Sequence, residues 1–156
     1  MRAEELTLEL VEWVRDAGMA GEIPKERLRG YVSIGRFSPE MLAILQCNDL
    51  ELRTTIAVLE KMLFDHAISP KHLYGLNGLI CQPEKVFKSK TRPETSVVVM
   101  TIETLRELPI VVPIELNKTM AVGKAPVHWV SSAYAKDEPE ALIRWEKEGL
   151  LLWKRR

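Results

Sequence analysis

Cysteine is scarce in this sequence, and its scarcity argues against two classes of protein. The 156 residues include two cysteines, Cys47 and Cys81, and neither has a second cysteine or a histidine at metal-binding spacing. Zinc ribbons and small disulfide-stapled secreted domains therefore lack support. We expect both thiols to be free in a reducing compartment, and we expect neither a metal ion nor a cofactor.

Long apolar runs are also lacking. No stretch approaches the roughly 18 apolar residues that a membrane-spanning helix needs. The first ten residues, MRAEELTLEL, form an acidic amphipathic pattern rather than a basic segment followed by an apolar one. Because 46% of the residues are hydrophobic, a chain of this length can bury one core. The sequence thus predicts a soluble, cytoplasmic protein.

An excess of charge of one sign is missing as well. Lys and Arg number 22, as do Asp and Glu, so charge alone would not coat a nucleic acid. The balance is uneven along the chain, since residues 1–84 hold 13 acids and 9 bases while residues 85–156 hold 9 acids and 13 bases. This asymmetry weakly favours a C-terminal half that faces an anion, and solvated surface charge explains it about as well.

The first half of the chain has the periodicity of helices. Apolar residues recur at helical spacing over Glu4–Ala17 and from about Leu52 to His66. Ser38 and Ser69 each precede a proline, which is the pattern of a helix cap followed by the first helical residue. The pair Asn77-Gly78 predicts the end of the short helix that follows Ser69.

Beyond Pro83 the periodicity changes from helix to strand. Three β-rich runs are joined by linkers too short for crossover helices, which predicts antiparallel pairing: Ser96–Thr101, Ile110–Leu116 and Val127–Ser132. Pro113 removes a hydrogen-bond donor, so its strand should lie at an edge or carry a bulge. A last helix over Asp137–Glu148 and a short strand over Leu150–Trp153 complete an α+β pattern.

His66 is the first candidate for chemistry. It falls at the end of its predicted helix, where the partial negative charge of unpaired carbonyls favours an imidazolium suited to general acid catalysis. A half-buried histidine that hydrogen-bonds those carbonyls is the alternative. His72 is interpreted as a surface residue. His128 lies in a predicted strand next to Trp129, and the pattern does not decide which of the two side chains faces the core.

A basic segment is the second candidate. Lys88, Lys90 and Arg92 alternate within KVFKSKTR, so an extended backbone would direct them to one side, where they could neutralise phosphates. A solvated loop explains the same charges.

The third candidate is the segment Ser131–Lys136 at the end of the third predicted strand, which contains hydroxyls, a phenol and an ammonium. Where a strand gives way to a helix N-terminus, such groups are suited to holding an anion or a scissile phosphate. A turn with a helix cap would give much of the same pattern. Taken together, His, Lys, Arg and Ser without a carboxylate metal cage describe metal-independent RNA cleavage through the ribose 2′-hydroxyl.

Several segments resemble one known family. They are LEKMLFDHAISPKHLYGLNGLICQPEKVFKS from Leu59 to Ser89, then SKTRPETSVVVMT, PIVVPIEL and WVSSAYAKDEPEALIRWEKEGLLLW. Order, spacing and ending agree over about 100 residues with phage MuF C-terminal type domains, placed here in the barnase, EndoU, colicin and RelE (BECR) nuclease superfamily. The likeness extends more loosely back to Tyr31, which makes residues 1–30 an N-terminal helical extension and residues 31–156 the nuclease-type domain.

The resemblance implies a fold and a site. The implied fold is α+β, with N-terminal helices packed on a four-stranded antiparallel sheet. The positions that match the polar motif of the family are His66, Ser89, Ser132, Tyr134 and Lys136, with Thr101 as an addition. One departure is Ala135, which replaces the commoner Gly of the Ser-x-Tyr-Gly-Lys turn, and another is the His128–Ser131 segment, which could add a second histidine.

These patterns lead to one main hypothesis and one alternative. The first is a metal-independent, toxin-like ribonuclease with His66 as general acid or base and Lys136, Ser132 and Lys88 as the other catalytic groups. Its substrate-binding residues would be Ser89, Lys90, Arg92, Thr101, Tyr134 and His128. RNA is the expected partner, and an antitoxin, immunity or host protein is a second one. The alternative is a non-catalytic phage protein that uses this scaffold to bind a host protein or nucleic acid.

Overall fold

The computed structural model describes residues 3–121 and 124–156, which form nine strands and seven helices. The strands are β1 (Glu4–Glu5), β2 (Tyr31–Arg36), β3 (Glu51–Thr55), β4 (Pro83–Lys88), β5 (Ser96–Leu105), β6 (Leu108–Lys118), β7 (Val127–Val130), β8 (Tyr134–Ala135) and β9 (Leu151–Lys154). The helices are α1 (Leu8–Met19), α2 (Lys25–Leu28), α3 (Pro39–Leu45), α4 (Ile56–Phe64), α5 (Pro70–Tyr74), α6 (Leu76–Cys81) and α7 (Pro139–Lys147).

Hydroxyl caps begin four of these helices. The caps predicted at Ser38 and Ser69 are confirmed, since Ser38 Oγ accepts from the Met41 N–H at 3.2 Å and Ser69 Oγ accepts from the His72 N–H at 3.1 Å. The Thr7 and Thr55 side chains likewise accept a backbone N–H at the start of α1 and α4. Each cap satisfies a backbone donor that the first helical turn leaves unpaired.

The described strands form one mixed sheet, so the expected four-stranded antiparallel sheet is wrong, although the class is α+β. The order is β1-β2-β3-β7-β6-β5-β4-β9, and β8 pairs with β6 beyond the end of β7. The β1–β2 and β3–β7 pairs are parallel, and the others are antiparallel. The three N-terminal strands join the sheet through β3 and β7, a contact between distant parts of the chain that no local pattern reports.

Several helix boundaries differ from expectation. The helix predicted from Glu4 begins at Leu8, because Glu4 and Glu5 form the strand β1. Residues 52–55, predicted within a long helix, form β3 together with Glu51, and the helix begins only at Ile56. The Asn77-Gly78 pair lies inside α6 instead of ending a helix. The Asn77 side-chain amide donates to the carbonyls of Ile34 and Arg36, both at 2.9 Å, and these bonds tie α6 to β2.

The predicted antiparallel pairing of the β5, β6 and β7 runs is confirmed. Pro113 nevertheless lies in an interior strand, because β5 flanks β6 on one side and β7 with β8 flank it on the other. β6 carries a bulge against β7 between Glu115 and Lys118, and the strand opposite the missing donor of Pro113 is also irregular. There the chain leaves the ladder between Val130 and Tyr134, and the Ser131 N–H donates to the Pro113 carbonyl at 3.0 Å.

Apolar side chains pack on both faces of the sheet. The larger cluster lies under the N-terminal helices and includes Leu10 and Val14 of α1 together with Leu59 of α4. The smaller cluster lies under α7, where Phe87 and Leu142 are buried. Both cysteines are free and half-buried. Among the described residues, no helix is long and apolar enough to cross a membrane.

Candidate functional site

His66 is held directly after α4. Its backbone N–H donates to the Lys61 carbonyl at 3.1 Å, and the next residue, Ala67, has a left-handed φ of 55°. The Ile68 N–H then donates to the Met62 carbonyl at 2.9 Å, and the Ile68 side chain is buried. This helix-ending arrangement fixes the backbone on both sides of the imidazole.

The imidazole lies beside a phenol from a distant part of the chain. The ring centroids of His66 and Tyr134 are 5.7 Å apart, and the ring planes are inclined by 44°. Tyr134 belongs to β8, which is aligned by pairing with Val111 of β6. Burial, with a smaller contribution from Asp137, raises the pKa of Tyr134, so its phenol stays protonated and can donate at neutral pH.

Both rings line a cavity of about 480 Å³ at one end of the sheet. The residues that line it are Asp65, His66, Leu105, Arg106, Leu108, Tyr134, Ala135 and Asp137. Arg106 is in the two-residue turn between β5 and β6, where its φ of 52° and the 67° of Glu107 make the tight reversal. The cavity thus combines an imidazole, a neutral phenol, one guanidinium and two carboxylates.

Arg106, Asp65 and Asp137 were missed by sequence analysis. The signal for Arg106 was the short connection between two β-rich runs, since a tight turn there puts its central residues at the end of the sheet. The two acids gave no comparable signal, because each is an ordinary residue at a helix boundary.

The predicted basic segment lies at the opposite end of the sheet. Lys88 pairs with Val97, Val97 with Ile114, and Tyr134 with Val111. Three strand spacings and three residues along a strand therefore separate Lys88 from Tyr134, a Cα distance of roughly 17 Å. The structure does not bring the basic segment and His66 into one cavity.

Local contacts engage several side chains of the basic segment. Ser89 Oγ accepts from the Arg92 N–H at 3.2 Å, which closes a turn. The Lys90 ammonium is paired with Glu148, and the Arg92 guanidinium is 3.3 Å from Glu115. Lys88 is exposed at the end of β4.

Ser132 and Lys136 are close to Tyr134 in the chain but have other surroundings. Ser132 is half-buried in the break between β7 and β8. The Lys136 N–H donates to the Pro109 carbonyl at 2.8 Å, and its Nζ is 5.3 Å from the ring centroid of Trp145 in α7. Neither residue is among those that line the His66 cavity.

Thr101 and His128 make their polar contacts within the fold. Thr101 is 2% exposed, and its hydroxyl donates to the Ile110 carbonyl at 2.9 Å. His128 is 0% exposed; its Nδ1 accepts from the Asn117 N–H at 3.0 Å, so its Nε2 donates to the Asn48 carbonyl at 2.8 Å. Burial lowers the pKa of His128, which keeps the ring neutral at pH 7.

In the part of the chain that the structure describes, no three His, Cys, Asp or Glu side chains are grouped closely enough to hold a metal ion.

Comparison with known proteins gives one match. Residues 56–156 match the sequence model of the phage MuF C-terminal domain family. This range begins at the first residue of α4 and contains His66, Arg106 and Tyr134. No curated protein and no solved structure matches the chain. Because the matched range covers well over half of its residues, this chain belongs to the phage MuF C-terminal domain family.

Proposed function

We propose that the chain is a metal-independent endoribonuclease of phage or mobile-element origin, with the His66 cavity as its active site. The observation that carries this proposal is the placement of His66 against Tyr134, with Arg106 in the same cavity. A proton-transfer group, a neutral donor and a cation are the components that phosphodiester cleavage needs without a metal. The resemblance to the barnase, EndoU, colicin and RelE superfamily adds support from sequence.

The proposed reaction uses the RNA's own hydroxyl as the nucleophile. His66 accepts the proton of a ribose 2′-hydroxyl, and that oxygen forms a bond to the adjacent phosphorus. The bond from phosphorus to the 5′-oxygen breaks, and a proton is delivered to the leaving oxygen. Tyr134 is the donor on this side, and Arg106 offsets the charge of the crowded phosphorane. The products are a 2′,3′-cyclic phosphate and a 5′-hydroxyl.

The other predicted residues take supporting parts in this proposal. Ser132 and Lys136 flank Tyr134 in the chain, and the backbone N–H of Lys136 holds the segment that carries it against Pro109. The basic segment at the far end of the sheet, which contains Lys88, Lys90 and Arg92, contacts phosphates beyond the one that is cleaved.

Cleavage of total RNA in EDTA tests the proposal. Wild-type protein should give discrete fragments that end in a 2′,3′-cyclic phosphate, and His66→Ala should lower the rate about 100-fold or more. His72→Ala is the matched control, because this second histidine lies outside the cavity and is 3.5 Å from Glu103. Intact RNA with a folded wild type, or equal rates in wild type and His66→Ala, would contradict the proposal.

A second candidate function is supported by the charge of the cavity. Asp65 and Asp137 place two carboxylates beside one guanidinium, and carboxylates repel a phosphate. Of the two partners in the alternative, a host protein or a nucleic acid, this observation favours the host protein, bound through the same surface by a non-catalytic phage protein. A folded wild type that leaves RNA intact, together with a complex on size exclusion with one defined host component, would support this function over the first.

A further inference from the structure

Among the described residues, no helix packs on one face of the sheet over β2, β3 and β7, and we call this the open face. Side chains that face the larger core from these strands are buried, namely Val32, Ile34, Leu52, Thr54, His128 and Val130. Their neighbours on the opposite face are only half-buried, namely Tyr31, Ser33, Arg53, Thr55 and Trp129. The α7 helix packs over Phe87, Val98 and Val111 and thus over the other half of this face.

Aromatic and cationic side chains alternate across the open face. The Arg53 guanidinium carbon is 5.4 Å from the ring centroid of Tyr31, and Lys118 Nζ is 5.7 Å from that of Trp129. Arg53 and Trp129 are direct partners in the parallel β3–β7 pair, so their side chains are neighbours on the same face. We call Tyr31, Arg53, Trp129 and Lys118 the aromatic ladder.

Acidic neighbours orient the two cations of the ladder. Arg53 is paired with Glu51 at 2.6 Å, and Lys118 is 3.4 Å from Glu115. A guanidinium that is fixed in this way can present its plane to a ligand with less loss of side-chain entropy on binding.

A cavity of about 480 Å³ adjoins the ladder. Its lining residues are Tyr31, Arg36, Asp49, Leu50, Glu51, Arg53, Met120, Ala121, Lys124, Ala125, Pro126 and Val127. Three of these side chains are cationic and two are acidic, which gives a net charge of +1 at pH 7. Its volume is within the range of small-ligand pockets, and its mixture of apolar walls, acceptors and cations suits a base and its phosphate.

We propose that the aromatic ladder and the adjoining cavity bind single-stranded RNA. Bases stack on Tyr31, Arg53 and Trp129, and phosphates lie against Lys118 and Lys124. The strand must be single, because a duplex hides the faces of its bases from a flat protein surface. This inference rests on the proposed ribonuclease function, because the aromatic ladder would hold the RNA substrate at a surface away from the His66 cavity.

The N-terminal segment supplies half of this surface. Tyr31 and Arg53 lie before the range that matches the phage family, whereas Lys118 and Trp129 lie within it. The ladder forms only because β3 pairs with β7, which brings the two parts of the chain side by side.

Fluorescence anisotropy with a labelled single-stranded RNA of mixed sequence tests the proposal. The full chain carrying His66→Ala is used so that the RNA stays intact. Tyr31→Leu and Trp129→Leu should each weaken binding about tenfold, whereas Tyr31→Phe and Trp129→Phe should retain most of it. Trp13→Leu is the matched control, because Trp13 has an arginine, Arg27, 4.8 Å from its ring on a different surface.

The outcomes separate this inference from the proposed function. Absence of RNA binding by the folded protein, equal affinity for duplex RNA, or leucine variants that bind as well as Trp13→Leu would overturn the inference. If the wild type cleaves RNA and the leucine variants bind RNA as well as it does, the ribonuclease proposal is supported and RNA binding by the aromatic ladder is contradicted. If RNA binding depends on the aromatic ladder and no cleavage is seen in any condition, RNA binding by the ladder is supported and the ribonuclease proposal is contradicted.

Discussion

The two halves of the sheet differ in what covers their second face. Over β4, β5 and β6 that face lies under α7, whereas over β2, β3 and β7 no helix of the described chain packs on it, and this half is the open one. The sequence of each strand reflects whether one or both of its faces are packed. Val97, Val98 and Val99 form an unbroken apolar run because both faces of β5 are packed. Val32 and Ile34 of β2 instead alternate with half-buried residues.

Because of this difference, we expect the covered half to contribute most to stability and the open half to contact a ligand. Apolar side chains on both faces make the covered half the part that resists unfolding. The open half has one buried face for stability and keeps aromatic and cationic groups within reach of a ligand on the other. Three predictions test the distinction, beginning with the largest effect.

Truncating a large side chain should cost far more in the covered half. Phe87 is buried, and its ring is 5.6 Å from that of Trp145, so Phe87→Ala should lower the free energy of unfolding by about 3–5 kcal/mol. Trp129→Ala on the open face should cost about 1 kcal/mol or less, because the ring is only half-buried. Urea unfolding measures both, and equal costs would remove the distinction.

Mild acid should destabilise the protein through His128, on the buried face of the open half. The unfolded chain takes up a proton here below about pH 6.5, whereas burial lowers the pKa in the folded protein. The unfolded state thus binds more protons, and the free energy of unfolding falls as the pH drops through this range, by up to about 1.4 kcal/mol per pH unit. Urea unfolding between about pH 7.5 and 5 should show a shallower slope for His128→Gln than for wild type. Identical slopes would refute this assignment.

High pH should lower the free energy of unfolding through Tyr134 in the covered half, by less than acid does through His128. The unfolded phenol ionises near pH 10, and the raised pKa of Tyr134 delays ionisation in the folded protein. The folded state therefore keeps its proton longer, and the free energy of unfolding falls as the pH rises above about 10, by less than about 1 kcal/mol per pH unit for a half-buried group. Tyr134→Phe should flatten this decline in thermal unfolding. A decline as steep as that of wild type would speak against it.

Local features of the fold were predictable, and long-range pairing was not. Ser38 and Ser69 cap helices as predicted, because a cap depends on a few adjacent residues. The strand at Glu51–Thr55 was predicted as helix, because its residues suit either structure until a partner strand is known. Leu52 and Arg53 become strand residues by pairing with His128 and Trp129.

The candidate site was predictable only in part, for the same reason. His66 and Tyr134 were both expected in the site, and the structure brings their rings together. Lys88 was expected beside them but lies at the far end of the sheet. Its position depends on strand register, which side-chain pattern alone does not assign across three strands. Arg106 was missed because its position at the cavity comes from a turn.

The sequence by itself determined the Ser38 and Ser69 helix caps and the antiparallel β5, β6 and β7 runs, since each depends on residues close together in the chain, and the order of its motifs carried the resemblance to a phage family. Only the tertiary structure decided that the sheet is mixed, that Lys88 and His66 lie apart, and that Tyr31 and Trp129 share one face. Those outcomes depend on which strands pair and in what register, and the free energy of that choice comes from contacts between distant residues.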